Sequence, residues 1–370
     1  MSREGAAFRF AEALDAEHHR IPMPTNSDAH AAFRIVDANA NRALEGLRVV
    51  EDYARFALND KHLATQYKGL RHDLASVLAT LPPQALSSAR HTPGDVGTQI
   101  EAPDEYIRDA VIQVAIASQK RVEQALRCIE EYTKTILLGA ASRVEQLRYR
   151  AYTLGKAIEV TSASQERLNG KRIYVLIDGG RSLEAFEQRA RQLTEAGVDL
   201  IQLRDKLLTD RDLVERGRRL REITSASSTL FIMNDRPDIA EIVGADGVHV
   251  GQDELSVADA RAILGVNRLV GVSTHSIEQA RQAVLDGADY IGCGPTFRSQ
   301  TKEFHEFPGL ELLRTVAEEI SLPAFAIGGI TLKNLPQVLD TGFCRIAVSG
   351  CVNSAADPRD AIAQLMAAKF

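Results

Sequence analysis

No apolar run in this 370-residue chain approaches the roughly 18 residues that a membrane-crossing helix needs. Cysteine is scarce. Cys128, Cys293, Cys344 and Cys351 stand at neither zinc-ligand nor disulfide spacing, so a reducing cytoplasm is the expected compartment. The basic excess of a general nucleic-acid binder is missing too. The formal net charge of -6 argues for neither nucleic-acid nor membrane partners. The opening stretch, "MSREGAAFRFAEALDAEHHR", carries acids and no apolar h-region, so no signal peptide is expected. Neither a GxxxxGK[ST] phosphate loop nor a dinucleotide-binding fingerprint occurs. What is present is ordinary globular composition, 45% hydrophobic and 25% charged, at a length that suggests two domains.

Two grammars divide the chain. Residues 1–165 read as all-α: "FRIVDANANRALEGLRVVEDYARFAL" sets Ile35, Leu44, Leu47, Val50 and Phe56 near helical spacing. A Pro- and Gly-bearing stretch, "LPPQALSSARHTPGDVGTQIEAPDEY", reads as a long loop, and helical patterning resumes from about Ile107 to Ile158. "NRALEGLRVVEDY" is echoed by "KRVEQALRCIEEY", matching at Arg42/Arg121, Leu47/Leu126, Arg48/Arg127, Glu51/Glu130 and Tyr53/Tyr132. A polar linker follows, beginning within "TSASQERLNGK" and set at residues 166–171. From 172 to 370 short β-branched runs alternate with amphipathic helices. The runs are "RIYVLID", "VDLIQLRD", "TLFIMND", "DGVHV", "RLVGVST", "DYIGCGP", "PAFAIGG" and "RIAVSG". Eight regular βα units favour a closed (β/α)8 TIM barrel over a doubly wound sheet, so the fold expected is α/β behind an all-α domain.

Barrels of this kind carry their chemistry at the C-terminal ends of the strands. Polar residues gather there. If strand 2 continues through them, Gln202, Arg204 and Lys206 share one face. With Lys302 after strand 6 the two cations suit a substrate bearing several negative charges. The plainer reading pairs Arg204 and Lys206 with carboxylates of neighbouring strands. Asp235 and Glu254, beside Asn234 and Asp253, offer hard oxygen ligands without His or Cys, a set that suits Mg2+. Taken alone, Asn234-Asp235 also reads as a helix cap. Metal and cations together point to a diphosphate. Gly328-Gly329 after strand 7 and Val348-Ser349-Gly350 after strand 8 occupy the usual phosphate subsite of the fold, although glycines there also serve tight turns. His249 and His275 lie near strand ends without an evident carboxylate or serine partner in the sequence, and packing is the expected role of each.

"QLRDK", "MND", "GVHVGQDE", "GVSTH", "GPTFRSQTK", "AIGGI" and "AVSG", in this order, resemble the thiamine-phosphate synthase family over about residues 171–370. The resemblance implies joining of 4-amino-2-methyl-5-(diphosphooxymethyl)pyrimidine to 4-methyl-5-(2-phosphoethyl)thiazole with release of diphosphate. It implies that Gln202, Leu203, Arg204, Asp205 and Lys206, with Asn234, Ser273 and Lys302, hold the pyrimidine diphosphate. Asp235 and Glu254 would hold Mg2+. Ser299, Gln300, Thr301, Gly329, Val348 and Ser349 would hold the thiazole phosphate. Arg204, Lys206 and Lys302 would stabilise the departing diphosphate in a dissociative reaction. Two positions depart from the family pattern: Glu254 stands where Asp is usual, with Asp253 just before it, and Ser299 stands where Thr is common. A thiazole tautomerase-like barrel and a non-catalytic scaffold that binds thiamine phosphates are the alternatives.

"RIVDANANRALEGLRVVEDYARF", "LRHDL" and "GDVGT" resemble a helical domain fused upstream of some of these synthases, for which a pyrimidine monophosphate kinase role has been put forward. Asn41, Glu45, Arg48, Asp52 and Arg55 fall on one helix face, which Arg71, His72 and Asp95 could join. Charged stripes are also common as solvated faces with i, i+4 pairs, so a structural or oligomer-forming module stands beside the kinase reading.

Overall fold

The computed structural model describes residues 26–89, 108–298 and 308–368. These fall into two compact units: residues 26–45, 72–89 and 121–148, and residues 46–71, 108–120, 149–298 and 308–368.

The second unit contains the barrel. Strands β1 (Ile173–Ile177), β2 (Leu200–Leu203), β3 (Leu230–Asn234), β4 (Gly247–Val250), β5 (Leu269–Thr274), β6 (Tyr290–Cys293), β7 (Ala324–Ile327) and β8 (Ile346–Val348) close in sequence order, all parallel. All eight expected strands form. Their runs are short and apolar because a parallel strand covered on both faces needs apolar side chains both ways. Tyr174, Leu200, Ile232, Leu269, Tyr290, Phe325 and Ala347 form one buried cluster. Glycine makes room for the large rings: a Cβ on Gly271 would lie 2.1 Å from the Tyr290 ring. Several outer helices start on a serine or threonine that accepts a backbone N–H three residues on, as Ser182, Thr209, Ser256 and Ser276 do. At the opposite end of the barrel, Asp199, Asp246 and Asp289 each precede an even-numbered strand. Each accepts a backbone N–H from the strand before it.

The helix Leu138–Arg167 runs two residues into the stretch 166–171 assigned to a linker. Its polar tail stays helical because it docks. Ser164 Oγ donates to Asp289 at 3.2 Å, Gln165 donates to the Ser321 carbonyl, and Arg167 donates to that of Asn267. The long loop expected from Leu81 onward contains a short helix, Pro83–Ala89.

In the helix Asn26–Phe56 the buried stripe is Val36, Ala40, Ala43, Leu47, Val50 and Ala54. Phe56 does not belong to it and is 69% exposed, because six residues beyond Val50 is well off that face. In the second unit the helix Lys61–Leu78 buries Leu63, Tyr67 and Leu70, and Tyr67 donates to Gln119 at 2.9 Å.

Candidate active site at the barrel mouth

Strand alternation decides what enters the mouth. With Tyr174, Leu200, Ile232, Leu269, Tyr290 and Phe325 inward, so are Gln202, Asn234, His249 and Ser273. Gln202 is buried and donates Nε2–H to the Tyr174 hydroxyl. The chain of contacts continues from Tyr174 OH to Tyr290 OH at 3.1 Å and from there to His249 Nδ1 at 3.3 Å. It ends with His249 Nε2 at 2.9 Å from Ser273 Oγ. Burial raises both tyrosine hydroxyls well above the usual phenol range, so they stay protonated.

His249 was expected to pack, and it is buried; its serine partner is new. Ser273 lies 24 residues away on the adjacent strand, brought beside it by the pairing of β4 with β5. The pair is not a nucleophile–base dyad. Desolvation by burial outweighs the opposing charge of Asp235 and, with a smaller contribution from Arg204, brings the imidazole down to about 4. A base that weak takes little proton from a hydroxyl at neutral pH, and the second ring nitrogen meets a tyrosine rather than a carboxylate. His275 is held apart, with Nδ1 donating to the Gly294 carbonyl at 2.6 Å.

β2 stops at Leu203, so Arg204, Asp205 and Lys206 leave the strand and alternation no longer orders them. Lys206 crosses to the next two strands. Its Nζ sits 3.2 Å from Asp235 Oδ2 and 3.5 Å from Glu254 Oε1. The hydrogen bond and charge of Asp235, then Glu254, raise its pKa. The plainer pairing therefore holds for Lys206. Arg204 has no acidic partner among the described residues and is exposed at the rim. Asp205 is engaged elsewhere: its carboxylate accepts the backbone N–H groups of Gly179, Leu207 and Leu208 and shapes the turn. Burial works to raise its pKa, but these three donors prevail and lower it. Leu203 is fully buried and points away from the mouth.

Asp235 does not cap a helix. The cap of Pro237–Val243 is Arg236, without a side-chain bond. Asp235 instead adopts φ 60°, a left-handed conformation that carries strain in a non-glycine residue. Glu254 folds back over Gly251, where a Cβ would lie 2.2 Å from Oε2. The two carboxylates thus already converge on one cation, the Lys206 ammonium. A hard two-carboxylate set fits Mg2+, which usually takes its remaining ligands from phosphate and water. Asp253 is exposed, and it is Glu254 that turns toward Lys206. Among the described residues no group of three or more His, Cys, Asp or Glu gathers as a metal cage.

On the far side, Gly328 and Gly329 have φ 102° and 63°. The segment after β6 lies directly against them: Phe297 N donates to the Gly328 carbonyl at 2.9 Å, and a Cβ on Gly329 would meet the Phe297 and Arg298 carbonyls at 2.8 Å. Both glycines are therefore required by the backbone itself. Val348 is buried in β8, while Ser349 is exposed and its Oγ accepts Asn353 Nδ2–H at 3.1 Å. Ser299, Gln300, Thr301 and Lys302 lie outside the described residues, as does Asp95.

The family model for thiamine monophosphate synthase matches residues 173–352, and the ThiD2 family model matches residues 34–157. A thiamine-phosphate synthase of Rhodopirellula baltica is 45% identical over 337 residues, covering 89% of this chain and 90% of its own. One from Gloeobacter violaceus is 39% identical over 331 residues, covering 90% and 95%. Among solved structures, the thiamine phosphate pyrophosphorylase from Pyrococcus furiosus is 36% identical, with a TM-score of 0.49, over 54% of this chain and 96% of that one.

Proposed function

The chain belongs to the thiamine-phosphate synthase family of transferases, and on that premise we propose the substrates, the metal and the division of labour at the barrel mouth. The observation that carries the reading is the convergence of Asp235, Glu254 and Lys206 beside an acid-free Arg204. Such a rim is built to hold an anion and a hard cation together.

The substrates are the pyrimidine methyl diphosphate and the thiazole phosphate. The C–O bond to the diphosphate breaks first, and the bonding pair leaves with it. The electron-rich aminopyrimidine supports the methylene cation, and the thiazole ring nitrogen supplies the pair for the new C–N bond. No proton has to move in these steps, which agrees with a neutral His249. Arg204, Lys206 and Lys302 stabilise the growing charge on the diphosphate, an electrostatic contribution made in the transition state. Asp235 and Glu254 would hold Mg2+, which when bound neutralises charge on the leaving group. Gln202, Asn234 and Ser273 orient the pyrimidine. Gln202 and Ser273 are held by the Tyr174–Tyr290–His249 chain beneath them. Ser299, Gln300, Thr301, Gly329, Val348 and Ser349 take the thiazole phosphate. A tautomerase-like barrel would not need Arg204, Lys206, the Asn234-Asp235 pair and Lys302 together.

Thiamine phosphate formation by the full-length protein, given both heterocycles with and without Mg2+, tests this reading. Magnesium-dependent product is expected. Bound substrates without product would put the scaffold reading in its place. For residues 1–165 the reading is phosphoryl transfer to the pyrimidine monophosphate, which would feed the barrel at 172–370. Full-length protein given that monophosphate, ATP and the thiazole phosphate should then make thiamine phosphate, and failure there alone would leave only a structural role.

A further inference from the structure

A second cationic cleft lies away from the barrel mouth, between the helices Asn26–Phe56 and Lys61–Leu78, within the second unit. Its volume is about 710 Å3, ample for a small phosphorylated molecule. Arg48, Arg55, Lys61, Lys68 and Arg71 line it against two carboxylates, Glu51 and Asp60. Helical spacing explains the gathering: Arg48 and Arg55 are seven apart on one helix, as are Lys61 and Lys68 on the other.

Both carboxylates are committed inward. Asp60 is fully buried and accepts Leu63 N–H at 2.7 Å and Ser321 N–H at 2.8 Å. Glu51, its side chain 4% exposed, accepts Arg71 Nε–H at 3.0 Å through one oxygen and Arg48 Nη1–H at 3.4 Å through the other. This buried carboxylate fixes two guanidinium groups; Arg48 Nε also donates to Asp52 at 3.2 Å, which leaves the Arg48 Nη2 and the terminal N–H groups of Arg71 to the cleft. Lys61 is drawn off by Glu318 at 2.7 Å, but Lys68 has no acidic partner among the described residues. At the rim Asn59 is held at φ 56° and shares left-handed backbone with only Asp235 among the described non-glycine residues.

The internal echo supplies the contrast. Its second copy sets Glu130 against Arg127, Lys134 and Arg148, the counterpart cluster, with Arg148 only 8% exposed. Arg127 and Lys134 are each shared there with Glu131 as well. In the first copy Arg48 and Arg55 likewise share Asp52, so the copies match on their own helix and differ at the facing one, where the second buries its arginine. The first keeps Arg71 26% exposed and places the unpaired Lys68 one helical turn before it.

We propose that this cleft is a binding site for a small phosphate ester, with the phosphate held by Arg48, Lys68 and Arg71. The site stands whether or not residues 1–165 transfer phosphoryl groups, and it does not depend on the barrel reaction.

Lysine acylation of the full-length protein, read by mass spectrometry at single residues, tests it. The probes are inorganic phosphate and phenyl phosphate, each against sodium chloride of equal ionic strength. Lys68 reactivity should fall severalfold with either probe while Lys134 stays unchanged. The substitution Arg48→Ala, at an exposed helix position where Arg71 still compensates Glu51, should raise the probe concentration for half-protection about tenfold or more. Because the readout is Lys68 itself, binding at the barrel mouth neither produces nor masks it. Equal protection of Lys68 and Lys134, no protection of either, or protection indifferent to Arg48→Ala would overturn the proposal.

Discussion

Replacing His249 by Gln should flatten the acid side of the protein's stability curve. His249 is 8% exposed, and desolvation lowers it from 6.5 to about 4. Between those two values the unfolded chain takes up a proton at this side chain and the folded chain does not. Stability from this group is therefore fully present above about pH 6.5 and is lost as pH falls toward 4. Going from pH 7 to 4.5, the shift removes about 2.5 kcal/mol, since each unit between the two values costs about 1.4 kcal/mol. Glutamine keeps a donor and acceptor toward Ser273 Oγ but cannot titrate. The measurement is urea unfolding of both proteins at pH 7 and 4.5. Carboxylates contribute to both curves alike and cancel in the difference. The wild type should lose about 2.5 kcal/mol more than His249→Gln over that interval. Parallel losses would refute the reasoning, because the imidazole would then titrate equally in both states and could not be the neutral floor of the mouth.

Three further outcomes are open to measurement, the first from the proposed chemistry and the other two from the geometry. Lys302→Ala should lower turnover about a hundredfold or more while thiazole-phosphate binding changes little, as for loss of one transition-state donor; unchanged turnover in steady-state kinetics would remove Lys302 from the chemistry. Gly251→Ala puts a Cβ 2.2 Å from Glu254 Oε2, a flexible tip that must swing away. The Mg2+ concentration for half-maximal activity should rise severalfold with melting temperature nearly unchanged, and an unaltered Mg2+ requirement would count against Glu254 as a ligand. Gly271→Ala drives a Cβ into the buried Tyr290 ring and should cost about 1–3 kcal/mol in denaturant unfolding, as overpacked cores do.

What the sequence announces here follows local rules. Eight β-branched runs and the helical spacing between them are local patterns, and closure into a barrel follows from their regularity. The meeting of Lys206 with Asp235 and Glu254 is legible to the same degree, since all three sit at ends of neighbouring strands. Partners across strands are a different matter. His249 stands in "GVHVG" between two valines, which marks an inward polar residue but cannot say that Ser273 and Tyr290 meet it. Asp205 looked like part of a ligand row, yet three backbone N–H groups occupy it, because the strand ends earlier than its charge pattern suggested. The tail of the helix Leu138–Arg167 read as a linker because serine and glutamine are poor signs of burial. Their partners, Asp289 and Ser321, lie more than a hundred residues away.

Charge balance explains why Lys206 bridges two acids without being wasted there. Asp235 and Glu254 bring two negative charges to the rim, and Arg204 and Lys206 bring two positive ones. His249 adds nothing, since burial keeps it neutral at pH 7. The rim by itself therefore offers a multiply charged anion no net attraction. In the proposed reaction Mg2+ and Lys302 add three positive charges, close to the roughly three negative charges of a departing diphosphate. On that reading Lys206 would be released from the carboxylates once they held Mg2+, and would turn from counter-ion to donor for the substrate. A site balanced in this way holds its carboxylates together before the metal comes. In the proposed reaction its affinity for diphosphate would come only with the metal, which would tie substrate binding to that ion.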